Sequence, residues 1–150
     1  MKKNILFLII LTCLISGCGF NPIYSTDKIN FNILEIQKKD GKLNDQISKA
    51  LYKFSDNKSD KNFKIRIDTK KTKKVLSRDS KGDPTRYQLE LSMVLTLDLN
   101  DNSLEPRNFS RKIDYDNSSD KFNLVQYELE LEKILINKII EDCLIFFSNQ

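Results

Sequence analysis

A stretch of strict alternation between residues 87 and 99 constrains the fold of this chain more than any other feature. Its odd positions are apolar and its even positions are mostly polar. Because side chains alternate between the two faces of a β-strand, the pattern predicts a long strand with one buried and one wet face. We interpret the apolar stripe as core and not as a lipid groove. Its members are Tyr87, Leu89, Leu91, Met93, Leu95, Leu97 and Leu99.

Three further segments alternate in the same way and predict strands at 29–37, from residue 63 onward, and at about 107–115. In the first, Leu34 and Ile36 have the opposite parity, which indicates a bulge or a partly covered second face. In the last segment, Arg111 falls on the apolar face. We therefore expect either that it lies at a sheet edge or that its side chain reaches past the core to solvent. The apolar sets are Ile29, Phe31 and Ile33, then Phe63, Ile65 and Ile67, then Phe109, Ile113 and Tyr115.

Two segments show helical periodicity instead. Residues 42–55 place Leu43, Ile47, Ala50, Leu51 and Phe54 on one stripe, and residues 122–147 form a longer amphipathic segment. The residues at 118–120 offer an N-cap for the second helix. Its predicted stripe is Val125, Leu129, Ile136, Ile140, Cys143 and Phe147, flanked by Leu124, Leu131, Leu135 and Ile139.

The order of elements is strand, helix, three strands, helix. It predicts an α+β fold, a two-layer sandwich in which a four-stranded, largely antiparallel or mixed sheet carries two helices on one face. The turn-rich segment 77–84 predicts a long hairpin between the second and third strands. We expect a single domain over residues 29–150.

The amino terminus has the pattern of a secretory signal. Lys2 and Lys3 precede an apolar run from Ile5 to Ile15, which is shorter than the roughly 20 residues that span a bilayer. The run ends in Ile15, Ser16, Gly17 and Cys18, the order of a lipobox. Residues 1–17 are therefore predicted to be a lipoprotein signal peptide, and the Cys18 thiol is predicted to carry the lipid anchor.

Residues 18–28 form the predicted lipidated tether. Gly19 follows the cysteine, and the absence of an aspartate there favours the periplasmic face of the outer membrane over the inner membrane. Three large apolar residues, Phe20, Ile23 and Tyr24, are unusual for a linker. We expect these three side chains to pack either at the bilayer surface or against the domain.

Composition excludes several function classes. The chain has no histidine, which removes the commonest general base and metal ligand, so we expect no enzyme, no metal and no cofactor. Without the signal the 25 basic residues fall to 23 against 21 acidic ones, so no nucleic-acid partner is expected. Cys143 is interpreted as a small core residue. Glu128 and Glu132 are interpreted as a solvated helix face and not as paired catalytic carboxylates.

A run of cations precedes the predicted hairpin turn. Two interpretations are open: a solvated strand end in a lysine-rich chain, or a hairpin tip that contacts phosphates and acidic sugars. The candidate contacts are Lys70, Lys71, Lys73, Lys74, Arg78 and Arg86.

The chain resembles a known family. Residues 18–24 read Cys-Gly-Phe-Asn-Pro-Ile-Tyr, similar to the Cys-Gly-Phe-x-Pro-Leu-Tyr opening of alphaproteobacterial lipopolysaccharide-assembly lipoproteins, the LptE family, with Ile23 where leucine is usual. The resemblance continues in residues 43–51, in 85–89 at the start of the alternating strand, and in 115–119 before the last helix.

The resemblance implies a fold, a partner and a role. Members of the family have two helices and four strands, and they plug the periplasmic end of the LptD β-barrel. The expected function is therefore an outer-membrane lipoprotein that pairs with an LptD-like barrel, contacts lipopolysaccharide and assists its insertion into the outer leaflet. The alternative is a general outer-membrane lipoprotein adaptor or lipid-binding module that has no barrel partner.

Overall fold

The computed structural model describes residues 31–99 and 102–150. The predicted signal peptide and tether lie outside these residues. The described chain forms two helices and five strands, and the predicted α+β fold is confirmed. In chain order the elements are β1 (Asn32–Lys38), α1 (Lys42–Tyr52), β2 (Asn62–Arg78), β3 (Pro84–Leu99), β4 (Asn102–Ser103), β5 (Arg107–Asp116) and α2 (Lys121–Ser148).

The strands form one mixed sheet. β1 pairs in parallel with β2, β2 pairs antiparallel with β3, and the other edge of β3 pairs with β4 and then β5. The two-residue strand β4 was not predicted from the sequence. The bulge predicted in β1 is confirmed, since its register on β2 shifts between Ile33 and Glu35 and leaves Leu34 exposed.

β2 and β3 form the predicted long hairpin, and its turn is short. The carboxylate of Asp79 accepts hydrogen bonds from the backbone N–H groups of Lys81 and Asp83, at 2.9 and 2.8 Å. Gly82 has φ +89°, a conformation that side chains disfavour. Local side-chain bonds of this kind favour turns over continued strand pairing.

The apolar face of the sheet and both helices enclose one core. The predicted stripe of β3 is buried from Leu89 to Leu97, and Ile47 and Leu51 of α1 belong to the same core. The rings of Phe31, Phe63 and Phe147 pack with centroids 5.1–5.7 Å apart. Both helices therefore lie on the same face, which we call the inner face, and the opposite face of the sheet is the outer face.

Helix α2 begins as predicted, because the Asp120 side chain accepts a hydrogen bond from the Asn123 backbone N–H at 3.0 Å. Its predicted stripe is wrong in the first half, where Val125 and Leu129 are 53% and 41% exposed. The second half of α2 buries a wider arc, from Leu135 to Phe147. Earlier in α2, the residues that face the core are Leu124 and Leu131.

Cys143 is fully buried on α2, so its predicted role as a core residue is confirmed. Burial raises the pKa of its thiol, which keeps the group protonated and unreactive. In the described part of the chain, neither helix is both long and apolar enough to cross a membrane.

The hairpin is covered unequally along its length. β1 pairs with β2 only as far as Ile67, and among the described residues no strand pairs with this edge of β2 from Asp68 to Arg78. We call β2 residues 62–67 with their β3 partners the proximal half of the hairpin. The distal half is β2 residues 68–78 with their β3 partners. Of the two helices, only α2 makes side-chain hydrogen bonds or ion pairs with the cations of the distal half.

Candidate functional site

The four lysines predicted at the hairpin tip lie inside the distal half of β2. Their partners on β3 are Ser92, Leu91, Leu89 and Gln88, whereas the turn itself is formed by Asp79–Asp83. Of the two open interpretations, placement in the strand is the one that the structure has for these lysines, and contact with an anionic ligand stays a prediction. The strand continues through the basic run because β3 offers a paired residue at each step from Phe63 to Val75.

Strand alternation divides the four lysines between the two faces of the sheet. Lys71 and Lys73 share the parity of buried Phe63, Ile65 and Ile67 and lie on the inner face. Lys70 and Lys74 lie on the outer face. The four lysines therefore do not form a single basic patch, and the inner-face pair and the outer-face pair have different neighbours.

The inner-face lysines bind carboxylates of α2. Lys73 Nζ lies 2.5 Å from Glu128 Oε1 and 4.0 Å from the centroid of the Tyr87 ring, where a cation is attracted to the ring face. The Tyr115 hydroxyl donates to the same Glu128 oxygen at 2.7 Å. Lys71 pairs with Glu132 one helical turn further on. We call Lys71, Lys73, Tyr115, Glu128 and Glu132 the strut.

The strut corrects the prediction that Glu128 and Glu132 form a solvated face, since their side chains are only 23% and 12% exposed. Burial alone raises the pKa of Glu128, but the hydrogen bonds from Lys73 and Tyr115 outweigh it and lower the pKa overall. Burial, then the hydrogen bond to Glu128, raise the pKa of Tyr115. The ionised carboxylate is thus the form that the fold stabilises.

Two further cations of the distal half, Lys74 and Arg86, also have carboxylate partners. Lys74 lies 3.2 Å from Glu90, which also accepts a hydrogen bond from Ser110, and these contacts lower the pKa of Glu90. Arg86 lies 3.3 Å from Asp116 of β5. Such exposed pairs contribute little to stability, but they neutralise the positive charge that an anionic ligand would meet.

Lys70 and Arg78 differ from the other candidates. Both are exposed, and within the described residues neither is paired with a carboxylate. Arg78 donates to the carbonyl oxygen of Gly82 at 2.7 Å, which leaves other donors of its guanidinium available. These two side chains are the cations of the distal half best able to bind a phosphate.

Arg111 lies on the edge strand β5, as one of its two predicted placements required. Its Nε lies 2.7 Å from Asp142 Oδ2, and its guanidinium also contacts the second carboxylate oxygen. This two-point contact to α2 raises the pKa of Arg111. The role of Asp142 was not anticipated from the sequence.

The predicted anchor residue Cys18 and the lipobox residues Ile15, Ser16 and Gly17 lie outside the described residues and stay predictions. Within the described chain, no group of three acidic or cysteine side chains is arranged to hold a metal ion.

The fold is shared with solved lipoprotein structures at low sequence identity. The rare lipoprotein B of Shewanella oneidensis is 15% identical with a TM-score of 0.57, over 79% of this chain and 98% of the other. A minor lipoprotein of Acinetobacter baumannii is 16% identical with a TM-score of 0.59, over 79% and 92%. Lipoprotein B of Nitrosomonas europaea is 16% identical with a TM-score of 0.56, over 85% and 88%.

At these identities the likeness establishes the fold alone. No protein-family model and no curated protein matches the chain.

Proposed function

We propose that this protein is an outer-membrane lipoprotein that pairs with an LptD-like β-barrel and assists lipopolysaccharide assembly. The observation that carries the proposal is a fold shared over most of the chain with proteins that are themselves named lipoproteins. The lipobox at residues 15–18 independently points to a lipid anchor. The protein acts by binding, with no catalysis, cofactor or nucleic acid.

The lipid anchor is the part of the proposal that rests most directly on a sequence motif. Acylation at Cys18 supplies the apolar chains that hold the domain at the periplasmic face of the outer membrane, since stable anchoring needs more than one chain. Replacement of Cys18 by serine removes the thiol to which the lipid is attached. We expect Cys18→Ser to remain unprocessed and to lose the detergent-phase partitioning of the mature lipoprotein. Normal processing of this variant would contradict the assignment.

The shape of the domain supports a barrel partner. The hairpin extends past β1 and ends in a short turn, so distal β2 presents exposed cations and an edge that no other described strand pairs, while its β3 partners stay in the core. An element of this kind can project into a lumen while the proximal core keeps its packing. Lys70 and Arg78 provide charges for the phosphates of a passing glycolipid.

The experiment that tests the function is affinity purification of the tagged, lipidated protein from outer membranes in mild detergent. We expect a stoichiometric β-barrel protein of LptD size and copurified lipopolysaccharide, each identified by mass spectrometry. A tagged, unrelated outer-membrane lipoprotein from the same cells is the control. Repeated recovery of the protein without a barrel would overturn the pairing and favour the adaptor or lipid-binding alternative.

A further inference from the structure

An open groove lies between the two helices, away from the distal half of the hairpin. Its apolar lining is Ala50 and Phe54 of α1 with Ile140 and Leu144 of α2, and it encloses about 380 Å³. Ile140 and Leu144 are buried, whereas Ala50 and Phe54 are only half-buried. The groove thus offers apolar surface that the described chain leaves partly uncovered.

The described chain begins beside this groove. Phe31 packs its ring against Phe63 and Phe147, and its carbonyl oxygen accepts a hydrogen bond from the Asp56 backbone N–H at 2.8 Å. Asp56 lies two positions after Phe54, and Phe147 follows Leu144 by about one helical turn. The residues that precede Phe31 therefore connect to the domain next to the lining of the groove.

The preceding sequence carries apolar side chains within reach. Tyr24 lies seven positions before Phe31, and a stretch of that length spans up to about 23 Å. The lining of α2 from Asn137 to Leu144 extends only about 10 Å along the helix axis. Phe20, Ile23 and Tyr24 can therefore reach the groove from the start of β1, and burying them there removes apolar surface from water.

We propose that the groove binds residues 20–24 of this same chain, with Ile23 and Tyr24 against its apolar lining. The polar rim agrees with this occupant, because Lys53 and Glu141 border the groove and Asp27 and Lys28 lie in the connecting stretch. The docking does not depend on a barrel partner. With Cys18 acylated, only Gly19 separates the anchor from the docked segment, so the domain sits directly against the membrane surface.

The first test places the photo-crosslinker benzoylphenylalanine at Tyr24 in the lipidated protein in its own membranes. We expect adducts to peptides containing Ala50–Phe54 or Asn137–Leu144, identified by mass spectrometry. The added variant Ala50→Arg, which puts a charged chain into the groove, should abolish these adducts, whereas Gln46→Arg elsewhere on α1 should keep them. Adducts only to lipid, or only to another protein, would overturn the proposal.

The second test measures backbone hydrogen exchange in the mature chain. Docking should slow exchange at residues 23–28, and the pair Ile23→Asp with Tyr24→Asp should raise those rates about tenfold. The matched pair Ser25→Asp with Thr26→Asp adds the same charge without removing apolar surface and should change them far less. Equal rates in both pairs, with thermal melts that show the domain folded, would show that the segment does not bind the groove.

Discussion

In the proximal half of the hairpin, β2 directs Phe63, Ile65 and Ile67 into a core closed by β1 and both helices. In the distal half, the same face of the same strand carries Lys71 and Lys73, and the covering side chains are carboxylates of α2. One strand is thus stabilised by apolar burial at one end and by ion pairs and hydrogen bonds at the other.

The difference shows how a hairpin can extend beyond the core that stabilises it. Beyond Ile67, the β3 residues Leu89, Leu91 and Met93 stay buried, whereas β2 becomes an edge strand that no other described strand covers. Lysine is suited to this edge of β2, because its alkyl chain lies along the sheet while its ammonium group reaches the carboxylates at the edge of α2. Lysine on an uncovered sheet edge also hinders pairing with other chains.

The largest effect is expected from the proximal half. Phe63→Ala removes a ring that contacts Phe31 and Phe147 and leaves a cavity, which costs roughly 3–5 kcal/mol of unfolding free energy. Urea unfolding measures this loss. Leu76→Ala, at an exposed position of distal β2, should change stability by less than about 0.5 kcal/mol. Similar losses in the two variants would refute the contrast between the halves.

A smaller and localised effect is expected from the strut. Glu128→Gln keeps the shape of the side chain but removes the charge that Lys73 and Tyr115 contact, at a cost of roughly 1–2 kcal/mol. Hydrogen exchange should speed up in distal β2 and early α2 while the proximal half stays protected. Glu130→Gln, an exposed position of α2, is the control. Uniform acceleration throughout the domain would contradict a local role.

The strut also predicts a pH dependence. The pKa of Glu128 is lower in the folded than in the unfolded chain, so its stabilisation is fully present above the unfolded value of about 4.3 and is lost as the pH falls through the folded value. The stability difference between the natural protein and Glu128→Gln should therefore shrink in acid. Urea unfolding at pH 7 and pH 3 checks this, and a difference that grows in acid would have the wrong sign.

The smallest effect on stability is expected from Lys70 and Arg78, the two exposed cations of the distal half without a carboxylate partner among the described residues. Replacement of Lys70 and Arg78 by alanine removes exposed charges without carboxylate partners, so the thermal melt should stay nearly unchanged. Binding of purified lipopolysaccharide should weaken about tenfold and less so at high salt, if these groups contact its phosphates as proposed. Lys49→Ala with Lys58→Ala removes two charges elsewhere. Unchanged binding at low salt would exclude the distal half as the contact.

Local patterns predicted most of the fold. Alternation in residues 87–99 identified the buried face of β3, and Asp120 lay in the predicted cap. These predictions succeeded because strand parity and capping depend on neighbours in sequence. The stripe of α2 failed at Val125 and Leu129 because the buried arc of a helix depends on how the helix packs against the rest of the domain.

The strut was missed for a related reason, although a signal was present. Glu128 and Glu132 are spaced by about one helical turn, roughly 6 Å, and Lys71 and Lys73 by two strand residues, roughly 7 Å. The two carboxylates can contact the two lysines only if the helix crosses that part of the strand. The crossing follows from packing of the whole domain. The sequence also left open whether the lysines lie in the strand or at the tip, because the β3 partners that extend the strand follow from the register of the whole hairpin.

The unbroken register between Phe63 and Val75 restricts how the hairpin can vary in length. A deletion of one residue from β2 before the basic run would exchange its faces and turn Lys71 and Lys73 away from Glu132 and Glu128. Only changes of two residues in each strand preserve the faces, and each such change moves the end of the hairpin by about 7 Å. That step is close to one turn of α2, about 5.4 Å. A two-residue change before the basic run therefore keeps the ion pairs of the strut only if α2 changes by about one turn as well.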